Sequence, residues 1–231
     1  MGITEIFLNY YQYFLRGTQT TVIVSLITVL LGTVLGCLIA LLLALVQVAN
    51  VKGLKQFARF YIWIFRGTPL LVQLYIVYYQ LHFIPWPEGS ILGVELARVM
   101  PCILALSMNS TAYVAEVIRS GIQAVDFGQT EAALSCGMTR TQAMVNIILP
   151  QAVKNILPAL GNEFITLIKE TAVAGAIAVT DVTKAAQYIG SRTWDVLPPL
   201  FIAAGIYLII VLGLTKLLGM FERRLAASDH H

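Results

Sequence analysis

The strongest constraint on the fold of this chain is residues 17–51, a run without a single charged side chain. About 20 apolar residues suffice for a helix to cross a membrane, so this run is long enough to cross at a tilt or to project beyond it. The composition agrees, because 58% of the residues are hydrophobic, 12% are charged and the mean hydropathy is +0.79. The chain is therefore predicted to be a membrane protein.

Hydropathy and turn signals predict five membrane spans and an all-α fold in a single transmembrane domain. The predicted spans are residues 17–51, 60–84, 93–120, 145–169 and 196–220. Arg66 and Pro69 make the second span polar on one side and are expected to kink it. Gly32 and Gly36 in the first span form a pair of small residues that permits close helix packing. Residues 167–194 hold an apolar stretch too short to cross and then an amphipathic helix, so we predict a re-entrant or interfacial segment.

The distribution of basic residues predicts the orientation of the chain in the membrane. With five spans, most basic loop residues fall on one side: Lys52, Lys55, Arg59, Arg119, Arg140, Lys154, Arg223 and Arg224. The loop between the second and third spans carries only Arg98. The positive-inside rule then places the C-terminus in the cytoplasm and the N-terminus outside. The aromatic segment 1–16 is expected at the membrane–water boundary, and it lacks the basic region and cleavage site of a signal peptide.

The stretch between the third and fourth spans has the pattern of a short helix, a turn and a second helix. Asp126 and Gln129 are predicted to be an N-cap and its capping-box partner. Gly137 supplies the left-handed residue that ends such helices, and Thr139 with Gln142 forms a second cap-and-box pair. One face of the first helix is small and suited to a groove on a partner: Ala132, Ala133 and Cys136. Taken alone, the pattern fits an ordinary interfacial loop helix equally well.

The same stretch carries a motif of fixed spacing. Glu131-Ala132-Ala133 is followed after three intervening residues by Gly137, and after nine more intervening residues by Ile147-x-Leu149-Pro150. This motif resembles the EAA loop of the membrane subunits of bacterial ABC importers. Residues 66–70 (RGTPL) and 110–116 (STAYVAE) with Arg119 resemble the polar amino-acid branch of those permeases.

The resemblance covers residues 17–225 and implies the ABC type I importer transmembrane fold over a single domain, 1–231, with the coupling loop at 126–150. In that family the loop forms a coupling helix that docks on a cytoplasmic ATP-hydrolysing subunit. The residues that match the coupling role are Glu131, Ala132, Ala133, Gly137 and Arg140. Lys169-Glu170-Thr171 resembles a Lys-Asp-Thr signature that adjoins the translocation path in the family, with Glu in place of Asp.

The resemblance also implies partners and a location. The chain is expected in the bacterial cytoplasmic membrane beside an identical or homologous second permease. Two ABC ATPase subunits are expected beneath it, and an extracytoplasmic amino-acid-binding protein is expected to deliver substrate. Transport would proceed by alternating access driven by ATP hydrolysis in the partner chain, which would hold the ATP and magnesium.

The residues of this chain predict no catalytic site, cofactor or metal of its own. The sequence has no GxxxxGK(S/T) phosphate loop, GxGxxG or HExxH, and His82 is its only internal histidine. Cys37, Cys102 and Cys136 are scattered and are expected to be unpaired. A net charge of +3 without a basic run among aromatics does not indicate nucleic-acid binding.

Polar residues inside spans are the candidates for substrate contact, because burying them in lipid is costly. By helical spacing, Asn109, Tyr113 and Glu116 share one face of the third span. Glu163 has no basic residue at i±3 or i±4, so its partner is a distant Arg, a backbone group, another subunit or a cationic ligand. The predicted substrate-binding residues are Asn109, Tyr113, Asn162, Glu163 and Thr166. They favour a polar and cationic amino acid, such as arginine, lysine or histidine.

Two alternatives remain for these carboxylates. Glu116 is followed by Arg119 at i+3, and that pair is expected to fix the end of the third span rather than to bind a ligand. In an ion-coupled secondary transporter, Glu116 and Glu163 would instead form a proton relay. The internal repeats of such transporters are not visible in the five predicted spans. A purely structural membrane protein would not need the coupling loop.

Overall fold

The structure is a computed structural model that describes residues 2–49, 52–81, 83–86 and 88–227, with side chains described at all of these except 41, 43–49, 52, 54, 55 and 224–227. Its helices are α1 Ile3–Ala49, α2 Lys52–Gly67, α3 Leu70–Gln80, α4 Leu96–Gln123, α5 Phe127–Ser135, α6 Arg140–Ala143, α7 Leu149–Glu170, α8 Val182–Thr193 and α9 Leu197–Ala227. A π-helical segment, Met144–Ile148, joins α6 to α7, and a 3₁₀ helix, Thr171–Ile177, follows α7. Two short antiparallel strands, β1 Ser90–Ile91 and β2 Val94–Glu95, precede α4.

Four helical stretches in the described part of the chain are long and apolar enough to cross a membrane. They are residues 3–40, 96–123, 140–177 and 197–223. The pair α2 and α3 makes a fifth if the bent pair is one span. The predicted all-α membrane fold is confirmed, and the β1–β2 hairpin is a small addition that the sequence did not indicate.

The N-terminal aromatic segment belongs to α1 rather than preceding it. The predicted boundary at Gly17 is wrong, because the helix runs through this residue without a break. Gly17 instead allows close packing, since an added Cβ would lie 2.8 Å from the carbonyl oxygen of Asp181. Ile6 and Phe14 are buried in a cluster with residues of α8 and α9. The first turns of α1 are therefore part of the packed bundle.

The predicted close packing at Gly32 and Gly36 is confirmed. An added Cβ at Gly32 would lie 2.7 Å from Ser110 Oγ, and one at Gly36 would lie 2.5 Å from Val114 Cγ1. Both glycines therefore let α1 lie directly against α4, with no room for a methyl group at either position.

The second predicted span is broken rather than kinked. The axes of α2 and α3 differ by 109° across Thr68 and Pro69. Pro69 has an extended backbone (φ −64°, ψ 135°) and lies immediately before the first residue of α3. Proline removes an N–H donor and disfavours helical geometry in the residue before it, so the break occurs where both effects act.

The fourth predicted span, 145–169, continues the helix that the predicted Thr139 box begins, so the helical stretch starts at Arg140. The box at Thr139 starts the helix, and the π-helical segment carries it into α7 without a stop. Pro150 lies in the first turn of α7. Its ring would crowd the carbonyl of Asn146 in a regular α-helix, and one wider π turn at that point relieves the crowding.

The segment after α7 folds back into the bundle. The predicted amphipathic helix is confirmed as α8, whose N-cap is Asp181. The Asp181 carboxylate accepts hydrogen bonds from the backbone N–H groups of Lys184 (2.8 Å) and Thr183 (3.1 Å), and from the hydroxyl of Tyr207 (2.9 Å). Asp181 is fully buried, so these donors satisfy a carboxylate that fastens α8 to α9.

Candidate functional site

The predicted coupling loop is present at the end of α4, and its caps are largely as expected. Asp126 Oδ1 accepts a hydrogen bond from the Gly128 N–H (2.7 Å), so it caps α5. The predicted box partner Gln129 is wrong, because its Oε1 accepts from Gln151 Nε2 (3.4 Å) and so faces α7 instead of the cap. Thr139 and Gln142 form the complete capping box, with bonds of 2.9 and 3.2 Å.

Gly137 has the left-handed backbone that the sequence predicts, with φ +84°. The N–H of Met138 donates to the carbonyl of Ala133 (3.1 Å), and the N–H of Gly137 donates to that of Leu134 (3.0 Å). These two bonds are the Schellman pattern, which satisfies the last carbonyls of a helix and requires a positive φ at this position.

The exposed face of α5 differs in one position from the predicted docking face. Glu131, Ala132 and Cys136 are exposed, and so is Arg140 just beyond the turn. Ala133 is 6% exposed and lies on the side by which α5 packs against the π-helical segment. The predicted trio of small residues is therefore wrong at Ala133, because this helix needs a buried side of its own.

The break between α2 and α3 is held by two amides. Gln73 Nε2 donates to the carbonyls of Phe65 (2.9 Å) and Thr68 (3.0 Å), and to Thr68 Oγ1 (2.8 Å). Asn109 Nδ2 donates to the same Phe65 carbonyl (3.0 Å) and to Gln73 Oε1 (2.9 Å). Gln73 and Asn109 are both buried, and together they satisfy carbonyls that the end of α2 leaves without helical partners.

A charged cluster joins the end of α2 to α4 about two turns beyond Asn109. The predicted pair of Glu116 and Arg119 is confirmed, since Arg119 Nε donates to Glu116 Oε2 (2.9 Å) and a second guanidinium nitrogen contacts Oε1. The same carboxylate lies 3.5 Å from Arg66 Nη1. The Arg66 guanidinium lies 5.3 Å from the centre of the Tyr113 ring, which is cation–π geometry.

The sequence reasoning missed Arg66 as a partner of Glu116. A signal was available, because an arginine inside an apolar span needs a carboxylate or a carbonyl near it. The cluster lines a groove of about 900 Å³ between α2, α4 and the π-helical segment.

The polar residues of α7 form a separate site on the other side of α4. Asn162 is exposed, whereas Glu163 and Thr166 are half-buried. The Glu163 carboxyl lies beside the hydroxyl of Ser110 on α4 and within electrostatic reach of Glu170. Among the side chains that the structure describes, none forms an ion pair with Glu163.

The five predicted substrate residues therefore do not form one cluster. Asn109 and Tyr113 lie where α4 meets α2, and the remaining three lie on α7, where α4 contributes Ser110. Both hydrogens of the Asn109 amide nitrogen are used at the α2–α3 break. Ser110 and Glu170 were missed as neighbours of Glu163, although both lie in the quoted motifs.

Comparisons with known proteins agree with this architecture. The family described as "Binding-protein-dependent transport system inner membrane component" matches residues 32–227. An arginine transport system permease protein, ArtQ, of Bacillus subtilis (strain 168) is 40% identical over 217 residues, which is 94% of each chain. A putative glutamine transport system permease protein, GlnP, of Rickettsia felis is 39% identical over 216 residues, again 94% of each chain.

A solved structure gives the same result for the fold. The crystal structure of an amino acid ABC transporter with histidines contains a chain that is 43% identical to this one and superposes with a TM-score of 0.83. The match covers 94% of this chain and 96% of that one. The family match and the relatives, which align over nearly their whole length, show that this chain belongs to the family of binding-protein-dependent transport system inner membrane components and has the ABC type I importer permease fold.

Proposed function

We propose that this chain is the membrane subunit of an ABC importer for polar amino acids and moves its substrate by alternating access. The observation that carries the proposal is the coupling loop, whose helix α5 is exposed and joined directly to α4 and, through the π-helical segment, to α7. These two helices hold both polar clusters. A movement of α5 would therefore reach the candidate substrate site through covalently continuous helices.

The proposed partners follow from the same loop. An ABC ATPase subunit would receive α5, with Glu131, Ala132, Gly137 and Arg140 at or beside the contact, and would hold the ATP and magnesium. A second permease, identical or homologous, and an extracytoplasmic binding protein would complete the importer. The coupling loop and C-terminus are proposed to be cytoplasmic, with the N-terminus outside.

The proposed substrate site is centred on Glu163. A carboxylate at membrane depth is costly unless a cation or several donors meet it, and a second carboxylate, Glu170, adds to that cost. Every amino acid brings an α-ammonium group, and arginine, lysine and histidine can bring a second cation. Asn162 and Thr166 lie one position before Glu163 and three after it on α7, where they would supply hydrogen bonds.

Relatives of this chain are named for arginine and for glutamine, so the shared feature is the amino-acid backbone. We nevertheless propose a preference for cationic side chains, because the site has two carboxylates, Glu163 and Glu170, and the neighbouring Lys169 offsets only the charge of Glu170. Tyr113 contacts Arg66 on another side of α4 and is left out of the proposed substrate site. Asn109 is proposed to act on the α2–α3 break rather than on the ligand.

The experiment is uptake of labelled arginine, histidine, glutamine and glutamate by the reconstituted transporter carrying Glu163→Gln. Loss of a hydrogen bond to a charged group costs about 1.5–3 kcal/mol, so arginine uptake should fall by about tenfold or more at low substrate concentration. Glu222→Gln, the same change at an exposed residue near the end of α9, is the matched control and should transport normally. Unchanged uptake of all four amino acids by Glu163→Gln would remove Glu163 from the proposed site.

The secondary-transporter alternative is less well supported by the geometry. A proton relay needs carboxylates that are free to contact the next proton carrier, but the Glu116 carboxylate is already paired with Arg66 and Arg119. Uptake that continues without ATP in reconstituted vesicles would support the relay and contradict the importer.

A further inference from the structure

Helix α2 carries a stripe of basic residues. Positions 52, 55, 59 and 66 are all Lys or Arg. At 100° per residue they fall within an arc of about 60° on the helix. On other sides of α2, Phe57 and Phe60 are 68% and 56% exposed, and Trp63 is 72% exposed beside the stripe. Such an amphipathic helix, basic on one side and aromatic on another, is typical of a segment at a membrane surface.

The stripe borders the groove between α2, α4 and the π-helical segment. The walls of this groove include the apolar side chains of Ile62, Trp63, Ile118, Ile122 and Val145. Its charged lining consists of three arginines, Arg59, Arg66 and Arg119, and one acidic residue, Glu116. An apolar groove with an excess of positive charge suits an occupant that is anionic at one end and apolar along its length.

Two of the three arginines are paired with an acidic residue. Arg66 and Arg119 both contact the Glu116 carboxylate. Arg59 lines the same groove, and in the part of the chain that the structure describes it forms no ion pair. Seven residues, or about 10 Å of helix, separate Arg59 from Arg66, so Arg59 lies nearer the end of α2 at which the helix begins.

The charge of Arg59 lies at the end of the bundle that carries α5. Helix α4 continues past Glu116 to its end at Gln123, and α5 begins four residues later. Gln123 and Arg119 line the groove at this end and bond to each other (2.5 Å). The mouth of the groove is thus at one surface of the membrane, where phospholipid headgroups are the anions always present.

We propose that this groove binds an anionic phospholipid, with its phosphate at Arg59 and Arg119 and its acyl chains along Trp63 and Ile122. Basic pockets between membrane helices bind anionic headgroups in this way, each Lys or Arg near the surface adding an attraction of several-fold in affinity. The apolar walls then replace the lipid tails that surround a headgroup elsewhere in the bilayer. The site is separate from Glu163, which lies on the other side of α4.

The test is native mass spectrometry of the full-length chain, purified with its co-purifying subunits and delipidated. It is titrated with phosphatidylglycerol and with phosphatidylcholine of identical acyl chains. Wild type is expected to bind phosphatidylglycerol more tightly than phosphatidylcholine. Arg59→Gln should weaken phosphatidylglycerol binding about fivefold, whereas Arg59→Lys, which keeps the charge, should bind as wild type does.

Arg98→Gln is the matched control, because it removes one exposed arginine at the opposite end of α4 and should leave the affinity unchanged. Equal binding of the two lipids by wild type, or an unchanged affinity in Arg59→Gln, would overturn the proposal.

A second measurement tests the proposal even if Arg59→Gln folds poorly. A photo-crosslinking residue at Ile62, in otherwise wild-type protein, should give an adduct with the mass of a phospholipid. An adduct with a second copy of this chain or with another subunit would show that the groove is a protein interface, and the lipid site would be rejected.

Discussion

Replacing Gly137 tests whether the turn after α5 transmits movement rather than merely folds. Its φ of +84° is one that residues with a side chain rarely adopt. An added Cβ at Gly137 would meet no atom within 4 Å. A substitution here therefore strains the backbone without causing a clash.

The free-energy cost of replacing Gly137 follows from the backbone conformation alone. A left-handed conformation costs a residue with a Cβ about 1–2 kcal/mol, and a β-branched residue is at the upper end of about 1–3 kcal/mol. Asparagine tolerates this region better than other residues, because its side chain bonds locally. Gly137→Val is thus expected to loosen the Schellman turn and misplace α5, whereas Gly137→Asn should have a much smaller effect.

Gly93, in the β1–β2 hairpin, is a close control for Gly137. Its φ is +81°, and an added Cβ there would also meet nothing within 4 Å. It lies beyond the other end of α4 from α5. Gly93→Val therefore introduces the same kind of strain into the same protein, at a position remote from the proposed ATPase contact.

The assay is ATP-driven uptake and substrate-stimulated ATPase activity in proteoliposomes, with thermal stability measured on the same samples. Gly137→Val and Gly93→Val should lower the unfolding temperature similarly. Only Gly137→Val should uncouple the two activities, with uptake falling more than ATP hydrolysis. Normal coupling in Gly137→Val, or equal loss of coupling in Gly93→Val, would refute the reasoning.

Two further predictions concern the orientation and the helix break. In a background whose other cysteines are replaced, a cysteine at Glu88 should react with an impermeant thiol reagent added outside the cell, and the native Cys136 on α5 should not; the reverse pattern would invert the topology. Gln73→Leu should destabilise the protein by about 1–3 kcal/mol, because it leaves buried groups of the α2–α3 break without donors and removes the acceptor of Asn109. Gln80→Leu, at an exposed position of the same helix, should be near neutral, and equal unfolding temperatures for the two variants would contradict the assigned role of Gln73.

The coupling loop was the most predictable part of the fold, because its signals act over a few residues. The caps at Asp126 and Thr139 and the positive φ of Gly137 each depend on backbone groups within one turn. The orientation inferred from Lys and Arg stays a prediction, and Asn50, predicted to lie on the cytoplasmic side at the start of the first basic loop, is outside the described residues. Local chemistry and hydropathy therefore predicted the order of the membrane helices, but not that the second span is a bent pair or that the first helix begins at Ile3.

Contacts between helices were not predictable in the same way. Asn109 and Gln73 are 36 residues apart in the chain, and nothing near either residue indicates that they bond to each other. The continuation of α1 through Gly17 was unpredictable for the same reason. This glycine lets the backbone of Asp181 approach α1 closely and does not form a turn. A glycine in a sequence shows that the backbone is free to bend or free to approach, and only the neighbouring helix decides between the two.

The position of α4 explains why these separate contacts belong to one mechanism. On one side, Asn109 and Glu116 fix the end of α2, and on another, Ser110 lies against Gly32 of α1 and beside Glu163. Helix α4 is unbroken from Asn109 to Gln123, so a displacement of its α5 end is carried along the helix to these contacts. The route from α5 to α7 contains the π-helical segment, where a turn can adjust. We therefore expect a movement of α5 to reach the α2–α3 break and the Glu163 site mainly through α4.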